Sequence, residues 1–232
     1  MQENLFFKLF KNKKLTATNY LFIAINLIPI WGVWFKNWDA RIIFIIFCLE
    51  TVIIGLYNIL KIFTASIFSN KNEIVNNSKV PKLAVGLFII AFFIFHFGLF
   101  VFVQMKIFLG VLSMNKMHIE MYDLFFNLRS TLPRYAQLLL LLFFISYGFG
   151  VIKEFVIPKQ FKTVRLEKLM LEPYGRIITQ QLVVIIGTFT LFINKDGKIL
   201  ILIFVLVKLY FEVFMDYKVF LKDSYKNNTT SL

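Results

Sequence analysis

Apolar segments long enough to cross a lipid bilayer recur along this 232-residue chain, and they constrain its fold more than any other feature. A helix needs about 20 apolar residues to cross a hydrocarbon core about 30 Å thick. Six segments meet that length: residues 18–35, 41–68, 83–112, 134–157, 175–194 and 198–217. None alternates with a period of two, which excludes a transmembrane β-barrel. The sequence therefore predicts an all-α, polytopic transmembrane helix bundle that forms a single domain over residues 1–232.

The composition agrees with a membrane protein rather than a soluble one. Hydrophobic residues make up 59% of the chain and charged residues only 17%, whereas a soluble domain has about 45–50% and about a quarter. A disordered chain, a disulfide scaffold and an ordinary soluble enzyme are therefore excluded. The single cysteine, Cys48, lies within an apolar segment, so the sequence contains no disulfide framework.

The distribution of Lys and Arg predicts the orientation of the bundle. With the N-terminus inside, seventeen cations fall on the inner side and eight on the outer side, and Lys208 lies within a span. Cytoplasmic loops are the basic ones, so both termini are predicted in the cytoplasm. Trp31, Trp34 and Trp38 mark the outer end of the first span as an interfacial aromatic belt.

The basic excess, a net charge of +13, flanks the apolar segments instead of forming one stripe. This pattern favours anionic lipid headgroups as partners and does not indicate nucleic acid. Lys106 and Lys153 lie near span ends, where long side chains extend their charge to the interface. A homo-oligomer or another membrane protein remains open as a partner.

Polar residues within the predicted spans are the candidates for function, because an ionisable group costs about 2.5–3.5 kcal/mol at a helix centre. Counted from the outer ends of their spans, several such groups lie roughly 12–15 Å deep at 1.5 Å per residue; His96 is counted from Gln104. We predict an intramembrane polar centre, with Glu50 as the partner of Lys208. Its members are Glu50, His96, Lys208, Asn26, Asn58 and Glu212.

Polar side chains also hold transmembrane helices together, at about 0.6–2 kcal/mol per hydrogen bond. For Asn26 and Asn58 this structural role is the favoured interpretation. For His96 the structural and functional interpretations are balanced. For Glu50 a functional role is favoured, since a carboxylate is a costly way to join helices.

A second candidate site lies where the fifth predicted span begins. Tyr174 and Arg176 occur there after Pro173, which suits a first helical turn. A helix N-terminus beside an arginine attracts anions, so these two residues are predicted to contact lipid headgroups. A simple interfacial anchor is the alternative interpretation.

Motifs of the common membrane enzymes are missing from the sequence. There is no H-E-x-x-H, no G-x-S-x-G, no glycine-rich phosphate loop and no cysteine pair. The two histidines lie on different segments, so neither a metal site nor a cofactor is predicted, and catalytic residues stay unknown. An enzymatic activity is not the leading expectation.

Short motifs in a fixed order resemble a known family over about residues 18–217. They are N-L-I-P at 26–29, W-D at 38–39, L-E at 49–50 before I-I-G-L-Y-N at 53–58, H-F-G at 96–98 with Phe100, and P-Y-G-R-I at 173–177. The chain resembles a prokaryotic family of integral membrane proteins catalogued only as a domain of unknown function. The resemblance implies a bacterial inner-membrane protein and supplies no activity. The family is expected to have His in place of Gln181 and Asp near Glu212, which argues against a metal or proton relay at that end.

Three functions are compatible with these observations. A small transporter or channel-like protein with a polar centre is the leading expectation. The alternatives are a structural or assembly subunit of a membrane complex and a lipid-active membrane enzyme. Water reaching Glu50 favours transport, whereas a dry interhelical network favours the assembly role.

Overall fold

A computed structural model describes residues 17–69, 74–75, 78–79, 81–114, 117–174 and 198–210. The predicted span 175–194 lies outside these residues, as do Arg176, Glu212 and the end of the sixth span. Within the described ranges the chain is helical, apart from one small pairing of two-residue strands and the connecting turns. The predicted all-α fold class is confirmed.

The helices follow the predicted spans closely. The long ones are α1 (Ala17–Phe35), α2 (Ala40–Phe68), α3 (Lys82–Met114), α6 (Arg134–Val151) and α8 (Lys198–Leu209). The short ones are α4 (Met121–Phe126), α5 (Leu128–Thr131) and α7 (Leu166–Leu171). A π-helical turn, Ile152–Val156, extends α6, and a 3-10 turn, Gln160–Lys162, precedes α7. Between α2 and α3, β1 (Ile74–Val75) pairs antiparallel with β2 (Ser78–Lys79).

Three of the described helices are long and apolar enough to cross a membrane. They cover Ala40–Phe68, Lys82–Gly110 and Arg134–Val156. The α1 helix is apolar too, but its described part is shorter. The number of six spans and the cytoplasmic position of both termini remain predictions.

The α2 helix is the centre of the bundle. It packs against α3, α6, α7 and α8, while α1 packs against α6 and α8. Every residue from Ile42 to Thr51 is buried, which covers more than two helical turns on all faces. A helix that is hydrophobic all round lies in a protein core or in a membrane, and here neighbouring helices cover this segment. The burial of α2 therefore places Glu50 in the interior of the bundle.

The α2 and α3 helices form a long antiparallel hairpin with one constant register. Four contacts along its length join residues whose numbers add to 152. The contacting pairs are Phe44 with Phe108, Cys48 with Gln104, Gly55 with Phe97, and Ser66 with Gly86. The constant register shows that the two helices run side by side from one end to the other, so the level of any residue on α2 identifies its neighbour on α3.

The tryptophan end of the bundle, where α1 turns into α2, is tightly closed. A Cβ atom on Gly32 would lie 2.0 Å from the ring of Trp38, so only glycine permits this approach. Asn37 adopts a left-handed conformation with φ of 52°, which asparagine tolerates better than most residues. Trp38 also stacks on Tyr135 of α6 at 4.4 Å between ring centroids. The turn thereby fixes α1 against α2 and α6.

Candidate functional site

A buried ion pair joins the last described helix to the central one. The ammonium of Lys208 on α8 contacts carboxylate oxygen Oε2 of Glu50 on α2. The exposed fractions of the two side chains are 5% and 0%. The contact that the sequence predicted between these two residues is therefore present, and it excludes solvent almost completely.

Two further helices complete the hydrogen bonds of this pair. Lys208 Nζ donates to Asn26 Oδ1 of α1 at 2.6 Å, and Asn26 Nδ2 donates to the carbonyl of Phe22 at 2.9 Å. The Tyr147 hydroxyl of α6 donates to Glu50 Oε1 at 2.7 Å. Both carboxylate oxygens of Glu50 and both polar side-chain atoms of Asn26 are thus hydrogen-bonded, as is usual for buried polar groups. We call Asn26, Glu50, Tyr147 and Lys208 the polar cluster.

Three aromatic rings surround the ammonium of the polar cluster. The distances from Lys208 Nζ to the ring centroids of Phe47, Phe143 and Phe22 are 4.7, 4.8 and 5.5 Å. A desolvated cation over an aromatic face gains about 2 kcal/mol. The rings therefore offset part of the free-energy cost of removing the lysine from water, and they surround the ammonium with apolar groups.

The sequence did not identify Tyr147 or the three rings. A tyrosine within an apolar span is a weak signal. A buried tyrosine hydroxyl usually finds a hydrogen-bond partner, but the sequence does not identify which one. The phenylalanines gave no signal, since the chain contains thirty of them.

The structure places His96 in a separate contact. His96 Nδ1 and the Tyr174 hydroxyl are 2.7 Å apart, and the His96 ring packs against Phe92 and Phe100. By the register of the hairpin, the residue level with Glu50 is residue 102 of α3, six positions or about 9 Å from His96 along the axis. His96 is therefore not at the depth of the polar cluster.

The depth predicted for His96 was wrong because Gln104 does not mark the end of its span. The α3 helix continues to Met114, and Gln104 is buried and donates to Cys48 Sγ at 3.8 Å. Tyr174, predicted at the headgroups, is half-buried against His96 and Phe93. These two residues form a second polar contact between α3 and the segment after α7.

Asn58 lies two helical turns along α2 from Glu50 and is 3% exposed. Its side-chain nitrogen has no hydrogen-bond partner among the described residues. An unpaired buried amide costs about 1–3 kcal/mol. Asn58 is thus buried like the polar cluster and lies on the same helix as Glu50, but it takes no part in the hydrogen bonds of the cluster.

A second ion pair joins α2, nearer its opposite end, to the residue that follows α7. Lys61 Nζ and Glu172 Oε2 are 3.0 Å apart, with side-chain exposures of 20% and 43%. Partly exposed pairs of this kind contribute about 0–1 kcal/mol. Among the described residues, no group of three or more His, Cys, Asp and Glu side chains lies close enough to hold a metal ion.

A family model matches residues 8–230 of the chain, and its description is a family of unknown function, DUF6498. The chain belongs to this family. The resemblance of the sequence to a family catalogued only as a domain of unknown function is confirmed. No curated protein and no solved structure matches the chain. Within this DUF6498 member, the matched range includes every residue of the polar cluster.

Proposed function

We propose that this DUF6498 protein is a polytopic protein of the bacterial inner membrane that acts as an assembly subunit, with the polar cluster as its internal clamp. The observation that carries the proposal is the complete burial of Glu50 with both of its carboxylate oxygens hydrogen-bonded. A carboxylate that binds a transported ion or proton needs access to water. The polar cluster supports the opposite role, in which charge joins helices.

The cluster is suited to holding a unique helix arrangement. Lipid tails are as apolar as the helix surfaces, so apolar burial alone does not select one packing in a membrane. A carboxylate on α2 that is matched by donors from α6 and α8 rejects any arrangement that leaves it unpaired. Specificity of this kind is the best-attested use of buried polar groups.

The test asks whether the function of the protein requires the charges of Glu50 and Lys208 or only a stably folded helix bundle. A strain that lacks the gene is complemented with wild type, with Glu50→Gln, with Lys208→Met and with the double variant. An assembly role predicts that the phenotype of every variant, including the charge-free double variant, follows the amount of folded protein in the membrane. A double variant that is folded and abundant but inactive would contradict the assembly role.

A proton- or ion-coupled transporter is the second candidate, and Asn58 is the observation that favours it. Its unpaired, buried amide nitrogen lies on the same stripe of α2 as Glu50. In proteoliposomes that contain a pH-sensitive dye, transport predicts that wild type dissipates a pH gradient and that Asn58→Leu does so more slowly. Wild-type vesicles as tight as protein-free vesicles exclude proton-coupled transport and leave the assembly role.

A further inference from the structure

An open groove runs between α2 and α3 on the side away from the polar cluster. Its cavity volume is about 270 Å³, and its lining includes Val52 and Gly55 of α2 and Gly98 and Phe102 of α3. Val52 follows Glu50 by two residues, which turns the helix by about 200°. Phe125 of α4 also lines the groove. The groove is thus independent of the buried ion pair.

The groove fits a hydrocarbon chain. A cavity of about 150 Å³ lined by Leu, Ile and Phe is large enough for benzene, and this groove is nearly twice that volume with an almost wholly apolar lining. Both of its walls belong to helices long and apolar enough to cross a membrane. The surrounding solvent at this position is therefore the acyl region of the bilayer.

Gly98 keeps the groove open. A Cβ atom placed on Gly98 would meet no other atom within 4 Å, whereas one on Gly55 would meet the Phe97 ring at 2.6 Å. Gly55 thus allows α2 and α3 to approach each other, and Gly98 leaves space at the exposed side of the same cavity.

A cation lies at the margin of the groove. The ammonium of Lys106 is 5.9 Å from the ring centroid of Phe102, which lines the groove, and Lys106 lies one helical turn nearer the tryptophan end. Lys106 is exposed and forms no ion pair within the described residues. The Lys106 side chain is long enough to turn its ammonium from Phe102 toward the headgroups of the tryptophan side, where it attracts anionic lipid.

We infer that the groove binds an acyl chain of an anionic phospholipid whose phosphate pairs with Lys106. The lipid belongs to the leaflet on the tryptophan side. The apolar cavity holds the chain, the open face at Gly98 admits it, and Lys106 selects the headgroup charge. This site goes beyond the assembly role and does not depend on it.

Native mass spectrometry of the purified full chain in mild detergent tests the site with two probes, phosphatidylglycerol and phosphatidylcholine with identical acyl chains. Gly98→Leu fills the groove and is expected to weaken phosphatidylglycerol binding about tenfold or more, or about 1.4 kcal/mol. Gly110→Leu is the matched control, because Gly110 is equally open on α3 but does not line the groove. Circular dichroism verifies that both variants are folded.

A second pair of variants tests the headgroup. Lys106→Gln is expected to abolish the preference for phosphatidylglycerol while acyl-chain binding persists. Lys153→Gln is its control, since the Lys153 ammonium lies 5.7 Å from the ring of Phe149 in a similar surface geometry outside the groove. Because Lys106 is exposed, this test stands even where Gly98→Leu fails to fold.

Four outcomes overturn the inference. The first is equal lipid binding by Gly98→Leu and Gly110→Leu, and the second is an unchanged headgroup preference in Lys106→Gln. A wild-type dimer that Gly98→Leu converts to monomers assigns the groove to a second copy of the chain. The fourth is the absence of bound phosphatidylglycerol in wild type.

Discussion

Replacing Glu50 and Lys208 singly and together measures what the buried ion pair contributes to stability. Removal of one partner of a buried pair costs about 3–5 kcal/mol, because the other charge is left unpaired. After Glu50→Gln, Lys208 retains Asn26 and the three rings, so the expected cost lies near the lower value, about 3 kcal/mol. After Lys208→Met, the hydrogen-bond partners of Glu50 among the described residues reduce to Tyr147, so the cost lies near the upper value, about 5 kcal/mol.

The double variant contains neither buried charge. In this variant Asn26 Oδ1 has lost its donor, and a neutral amide replaces the Glu50 carboxylate. We expect these two changes to lower the free energy of unfolding by about 4 kcal/mol. The two single costs together exceed this value by about 4 kcal/mol, a factor of about a thousand in the unfolding equilibrium. A coupling of that size is the signature of a pair that acts as a unit.

Cys48 provides the assay. It is the single cysteine of the chain, it is buried, and it lies two residues from Glu50. Pulsed labelling with a membrane-permeant maleimide therefore reports opening of the bundle beside the ion pair, and its rate gives the opening free energy. The experiment runs in intact membranes and in detergent without introducing a probe.

The second ion pair is the control for this cycle. Lys61→Met and Glu172→Gln remove a partly exposed pair, for which coupling below about 1 kcal/mol is expected. If the costs of Glu50→Gln and Lys208→Met instead add within about 0.5 kcal/mol, the two groups are independent. That result refutes the role of the polar cluster as a clamp.

Three further predictions follow from single contacts. Tyr147→Phe removes one donor to the Glu50 carboxylate and should lower the unfolding free energy by about 1.5–3 kcal/mol by maleimide labelling. In a Glu50→Gln background the loss should fall to about 0.5–1.5 kcal/mol, because the amide oxygen is a neutral acceptor. Gly55→Ala should cost about 1–3 kcal/mol in detergent unfolding, because its Cβ would overlap the facing phenylalanine, whereas Gly98→Ala should be neutral or stabilising by up to about 1 kcal/mol. Asn37→Gly relieves the left-handed backbone at φ of 52° and should raise the thermal midpoint, while Asn37→Val should lower it; equal midpoints for the two would contradict the turn geometry.

Depth along a helix was predictable from the sequence where a span has clear ends. The adjoining ends of α1 and α2 are marked by tryptophans and by Arg41, so counting at 1.5 Å per residue placed Asn26 and Glu50 at a common level. The structure joins Asn26 and Glu50 through Lys208. Regular helix geometry makes this inference possible without any knowledge of packing.

The depth predicted for His96 was wrong because a polar residue within the helix was taken as the end of the span. Gln104 is an amide inside α3 that binds Cys48, and counting from it placed His96 about 9 Å from its actual level. Rotation about the helix axes was not predictable either. Hydropathy does not specify which face of α6 meets α2, so the contact between Tyr147 and Glu50 emerged only from the structure.

The two charges of the polar cluster are separated by 158 positions in the chain, and this has a consequence for biosynthesis. At about 5–20 residues per second, the ribosome delivers Lys208 about 8–30 s after Glu50. During that interval α2 holds a carboxylate that lacks its cation. Chains that terminate before Lys208 retain this defect permanently, so the ion pair distinguishes a finished chain from an unfinished one.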